Sequence, residues 1–180
     1  MRDRIEPIHA HSFFTIDLNG SFNQVLIFDY LDRDEYYYSL LKDEERYLDE
    51  MGRLLASMNS LLKDEVIKIN ERRVEAEALT INLDFRGSAN YPTISFYIEF
   101  RGDLIYGERN IYECIYDPGV AEYDYEAYWI FPRGSRVIDV ESSTSFEVFG
   151  ERFLVMWARR GDKYSGYEKI VFELPSPNRV

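Results

Sequence analysis

His9 and His11 are the only two histidines of the chain, and a single alanine separates them. In an extended segment residues i and i+2 point the same way, so both imidazoles could face one divalent metal ion. Any further ligand would have to be Asp or Glu. The pair sits where a polar lead-in, residues 1–10, gives way to the first strand. It is read as part of a polar arm before it is read as a metal site, and no cofactor is expected.

Glu122, Asp124 and Glu126 alternate with Tyr123 and Tyr125, ahead of Trp129. On a strand the three carboxylates share one face, where they repel one another and invite a hard cation or a basic partner. The glycine-bearing acidic loop that makes a calcium motif specific is lacking. A solvated strand that resists edge pairing accounts for them equally. Arg159 and Arg160 open the one basic knot of the chain, Arg159-Arg160-Gly161-Asp162-Lys163. Arginines at a strand end clamp a carboxylate or phosphate, or simply balance neighbouring acids. These seven residues, the five from Glu122 to Glu126 plus the two arginines, are the binding residues the sequence offers.

Nothing in the chain forms a catalytic motif. Cys114 lies in a short apolar strand with Tyr112 and Tyr116 at the same parity, and no adjacent base lowers its pKa, so it reads as a structural thiol. Ser142, Ser143, Thr144 and Ser145 read as a turn, without a nucleophile elbow. The fifteen tyrosines are the unusual feature. They suit a recognition surface, because tyrosine brings contact area at little entropic cost, and they suit the outer faces of sheets as well.

The formal charge of −12 argues against binding nucleic acid through its phosphates and fits a basic protein partner. No apolar run reaches membrane-span length and MRDRIEP does not read as a signal peptide, so no direct membrane insertion and a cytoplasmic location are expected. The alternative is an extracytoplasmic domain of a membrane-anchored protein, in which Asn19-Gly20-Ser21 is a glycosylation sequon. A single glutamine and an excess of arginine over lysine suggest a thermophilic source.

The elements that must position these residues are mostly strands. One stretch has a helical period: Leu41, Leu48, Leu55 and Leu62 recur every seven residues, with Met51 and Met58 between them. It predicts one long amphipathic helix over about 34–63, its wet face including Glu50 and its apolar band lying across a sheet. Asn19-Gly20 predicts a hairpin. Leu79, Ile81, Leu83 and Phe85, then Ile94, Phe96, Ile98 and Phe100, alternate as half-buried strands, with a bulge expected near Ala78 where the apolar parity switches. Phe153 to Ala158, apolar on both faces, predicts a central strand. The fold expected is α+β: an antiparallel sheet, or a two-sheet sandwich of about 8–10 strands, under one helix, in a single domain ending in a short tail, 175–180. The function expected is a non-enzymatic binding or interaction module presenting an acidic, tyrosine-rich sheet surface. A small hydrolase using paired carboxylates in a sheet-lined cleft is the alternative.

Overall fold

The computed structural model describes residues 5–176; the ends of the expected lead-in and tail, 1–4 and 177–180, lie outside them. The chain opens with β1 (Ile5–Ile16) and β2 (Ser21–Asp32), then α1 (Tyr36–Leu40) and α2 (Glu44–Asp64). There follow β3 (Val66–Ile69), β4 (Arg72–Val74), β5 (Glu77–Phe85), β6 (Pro92–Arg101), β7 (Arg109–Ile115) and β8 (Gly119–Val120). The last six are β9 (Asp124–Ile130), β10 (Arg136–Ser142), β11 (Ser145–Phe149), β12 (Phe153–Ala158), β13 (Lys163–Tyr164) and β14 (Tyr167–Glu173).

These strands make a seven-stranded sheet in the order β11-β12-β9-β1-β2-β6-β5, a five-stranded sheet β10-β14-β7-β3-β4, and the small pair β13-β8. The large sheet is mixed. β1 runs antiparallel to β2 but parallel to β9, with His9 opposite Asp124 and His11 opposite Glu126. One face of this sheet carries the core from β12 to β5. On one half, Phe14, Phe22, Trp129, Leu154 and Met156 pack against Ile67, Ile69, Tyr112, Ile170 and Phe172 of the five-stranded sheet. Phe14 and Trp129 stack there with ring centroids 3.9 Å apart. On the other half, Met51, Met58 and Leu62 of α2, with Tyr37 and Leu40 of α1, cover Ala78, Ile94, Phe96 and Ile98. Each large side chain buried this way contributes about 1.5–3 kcal/mol. Strand β6 serves both halves: Ile94, Phe96 and Ile98 meet the helices, and Phe100 meets the second sheet.

The α+β expectation of one helix over 34–63, laid across an antiparallel sheet or a sandwich of 8–10 strands, is overturned. The described residues are mostly strand: fourteen strands in three sheets, one of them mixed, and two helices. The helical stretch breaks because Glu35 takes a left-handed conformation (φ 54°) and Asp43 is extended (φ −144°). Asp43 then caps α2, its side chain accepting from the Arg46 N–H at 3.2 Å, with Glu44 and Glu45 favourably placed in the first turn. Of the seven-residue leucines, Leu41 and Leu48 are 54% and 59% exposed, and only Leu62 is fully buried. The true buried stripe is Met51, Met58 and Leu62, beside a buried Glu50 that takes bonds from Arg53 instead of facing water. β12 is paired on both sides, between β11 and β9, but is covered on only one face. It lies next to the edge strand, burying Leu154, Met156 and Ala158 and leaving Phe153 exposed on its other face.

Two local expectations, the bulge and the first hairpin, hold. The register of β5 against β6 shifts between Ala78 and Thr80, at the expected bulge. Residues 17–20 turn β1 into β2, and Gly20 is required there: its φ is 90°, and a Cβ would stand 2.2 Å from the Gly102 carbonyl oxygen. No helix among the described residues is long and apolar enough to cross a membrane.

Candidate functional site

Where the two large sheets part at one end, they leave a cleft of about 490 Å³. Its walls follow from strand parity. Glu65, at the C-terminal cap of α2, precedes Ile67 and Ile69 on the inward face of β3. Glu168 has the parity of the buried Ile170 and Phe172 on β14, so its carboxyl also points inward. Tyr112 and Cys114 line the cleft from β7, Tyr116 from just beyond its end, and Tyr125 from β9. Gln24 donates to Ser12 Oγ at 2.9 Å on the opposite wall.

Two carboxyl groups thus face a largely aromatic interior. Burial, and then the nearby Glu168, pushes Glu65 up to about 7. Burial also raises Glu168, against the opposing effect of the Tyr116 hydroxyl, which donates to its Oε1 at 3.0 Å. No basic side chain is among the groups acting on either. Burial raises Tyr125 to about 12 and the Cys114 thiol to about 12, so Cys114 is no thiolate nucleophile.

The residues expected from sequence are split between this cleft and the outer face of the seven-stranded sheet. Glu122 is exposed at the cleft, which Tyr123 and Tyr125 line from within. Asp124 and Glu126 point to the outer face, because β9 alternates. Asp124 is already engaged. It accepts from the Arg160 backbone N–H at 2.8 Å and from Arg159 Nη1 at 3.0 Å, which holds its carboxyl below the usual range. Arg159 therefore balances the charge of Asp124 in this structure, while Arg160 contributes its backbone N–H.

On the same outer face, β1 presents His9 and His11 with ring centroids 4.2 Å apart. Glu126 Oε2 lies 3.4 Å from His11 Nδ1 and 3.7 Å from His9 Nε2. Asp29, across β2, has a carboxylate oxygen within 4.8 Å of a ring nitrogen of each histidine. Burial and the neighbouring His9 lower the pKa of His11.

Sequence reasoning missed Glu65 and Glu168, although a signal was present. Each acid sits at the parity of the apolar residues of its own strand, Glu65 with Ile67 and Ile69, Glu168 with Ile170 and Phe172. It missed Asp29 and the pairing of His9 and His11 with β9 because only the register of β1 reveals them.

No protein-family model and no curated protein matches the chain. Among solved structures it is similar to an aminopeptidase N family protein from Idiomarina loihiensis, with a TM-score of 0.40 and 11% identity over 90% of this chain and 29% of that one. It is similar to a putative protease from Parabacteroides distasonis, with a TM-score of 0.37 and 6% identity over 97% of this chain and 41% of that one. An M1 zinc metallopeptidase from Deinococcus radiodurans gives a TM-score of 0.32 and 8% identity over 93% of this chain and 42% of that one. The chain spans less than half the length of each of these proteins. At such scores and identities the likeness establishes neither a shared fold nor a shared activity.

Proposed function

We propose that the chain is a binding module that takes a small ligand with an apolar body and a cationic group into the cleft between its two large sheets. The observation that carries this reading is the pair Glu65 and Glu168, facing an aromatic cavity of about 490 Å³ with no basic side chain among the groups acting on them. Ligand cavities are typically ~300–1,000 Å³, mostly apolar, with a few polar groups that fix orientation. A protonated amine placed there gives the two carboxyls their missing counter-charge, and the tyrosine rings at the cleft suit a cation as well. Binding then draws the carboxyls to their charged form, so protons are released on association. Glu122, exposed at the cleft, is the place for a basic protein partner in the same reading.

The test is calorimetric titration with arylalkylamines and with the matching neutral alcohols. Amines should bind in preference to the alcohols, release protons, and lose affinity in Glu168→Gln. Absence of amine binding to the wild type, or unchanged affinity in that variant, refutes the proposal.

A second reading, a hydrolase using paired carboxylates of the cleft, is favoured by one observation. Glu65, raised to about 7, lies where a general acid works best near neutrality. Turnover of an ester, amide or glycoside substrate that disappears in both Glu65→Gln and Glu168→Gln would favour it over the binding module.

A further inference from the structure

We propose that the outer face of the seven-stranded sheet holds a divalent transition-metal ion, bound by His9, His11 and Asp29, with Glu126 completing the set from β9. The ligands come from three adjacent strands. β1 supplies both imidazoles from one side of the pleat, β2 supplies Asp29 opposite His9, and β9 supplies Glu126 opposite His11. A register shift between Pro7 and His9 lies just before the first histidine, and such irregularities re-aim the side chains next to them.

The spacing suits coordination better than hydrogen bonding. Donor atoms bound at about 2 Å to one tetrahedral zinc ion lie about 3.3 Å from each other. Glu126 Oε2 stands 3.4 Å from His11 Nδ1 and 3.7 Å from His9 Nε2, and the donors of His9, His11 and Asp29 all lie within 4.8 Å of one another. Small side-chain rotations bring these atoms onto one ion. His9 Nδ1 is buried with no hydrogen-bond partner among the described residues. Two imidazoles with carboxylates is a donor set that zinc accepts, and soft thiolates are not needed.

The surroundings orient the ligands. Asp29 Oδ1 accepts from Thr93 Oγ1 at 2.7 Å and from Arg86 Nε at 3.2 Å, which fixes the carboxylate and leaves Oδ2 for an ion. Arg159 approaches Glu126 Oε1 at 3.9 Å from the far side. Partners of this kind commonly change metal affinity by about 10–100-fold when removed. The two arginines also temper the affinity, because they neutralise part of the carboxylate charge. His9 and His11 are partly exposed, at 26% and 30% of their side chains, so an ion reaches them from solvent without a conformational change.

The experiment is a Zn²⁺ titration in competition with a chromophoric chelator, on the whole chain freed of metal by dialysis. One equivalent should bind to the wild type. His9→Gln and His11→Gln should each lose at least about tenfold in affinity, and Thr93→Val about 10–100-fold. Glu168→Gln, in the cleft, should bind as the wild type does. A second readout needs no variant: because the chain has only two histidines, Zn²⁺ should shift the side-chain imidazole nitrogen resonances of both in NMR. The proposal is overturned if zinc does not bind stoichiometrically, if affinity survives in the double histidine variant, or if the imidazole resonances stay in place on adding zinc.

Discussion

Replacing Glu65 by glutamine should remove a pH dependence of stability that belongs to the cleft. The glutamate carboxyl titrates at 4.5 in its ordinary state and at about 7 in the folded protein, chiefly because burial disfavours its charge. The folded protein therefore holds a proton that the unfolded chain has released. Its contribution to stability is intact below pH 4.5 and is lost as pH rises to about 7 and beyond. A displacement of that size, at about 1.4 kcal/mol for each pKa unit, amounts to about 3 kcal/mol between pH 4 and pH 8. Facing groups matter to this figure. Glu168 on β14 adds to the shift, while Tyr112 and Cys114 on β7, and Tyr116 just after it, stay neutral over this range. The remaining acids of the chain repel one another more as pH rises in both proteins, so the comparison is between wild type and Glu65→Gln at each pH. Urea unfolding at pH 4, 6 and 8 should give curves that diverge with rising pH, the variant becoming the more stable by up to about 3 kcal/mol at pH 8. Parallel pH profiles would show that Glu65 is solvated and ordinary, and the electrostatic picture of the cleft would fall with it.

Two further outcomes test buried polar contacts elsewhere in the fold. Asn110, fully buried, accepts from the Ile105 N–H at 2.7 Å and from Asn70 Nδ2 at 2.9 Å, and donates to the Ile105 carbonyl at 2.8 Å. Asn110→Leu should cost about 1–3 kcal/mol for each buried group left unpaired, and a loss below about 0.5 kcal/mol in urea melts would refute its role as a hub. Arg53→Ala should cost about 1–3 kcal/mol, since it strips the buried Glu50 of the guanidinium that donates to it, whereas Glu45→Ala on the exposed first turn of α2 should stay within about 0.5 kcal/mol.

The parts of the fold legible in the sequence were those set by local alternation. Ile94, Phe96, Ile98 and Phe100 are all buried, and the parity switch at Ala78 marks a real register shift, because a period of two leaves no other way to keep one face dry. The helix was legible as a helix but not in its limits. Leu41 keeps the heptad phase across the break at Asp43, and a pattern of apolar residues does not register a left-handed Glu35 or an extended cap. The mixed sheet was not legible, since parallel pairing of β1 with β9 joins segments that share no local signal. The same holds for the site. Glu65 and Glu168 each stand on an apolar parity in plain view, yet their meeting across a cleft depends on how β3, β7 and β14 pair. The outer cluster of His9, His11, Asp29 and Glu126 likewise exists only once three strands lie side by side.

The parallel contact between β1 and β9 also orders the assembly of the chain in time. Strands β1, β2, β5 and β6, with both helices, precede β9 in sequence, so a growing chain can build the helix-covered half of the large sheet first. During that interval the edge of β1 that will receive β9 has no neighbour, and the edge of β7 waits for β14. Pairings between distant segments are slow because loop closure precedes the gain from contact. A chain stalled before Asp124 would therefore present β1, with Phe14 and Ile16 uncovered, as an open template for a second copy of itself. Aggregation in this protein should accordingly begin on the strand that forms first and is completed last.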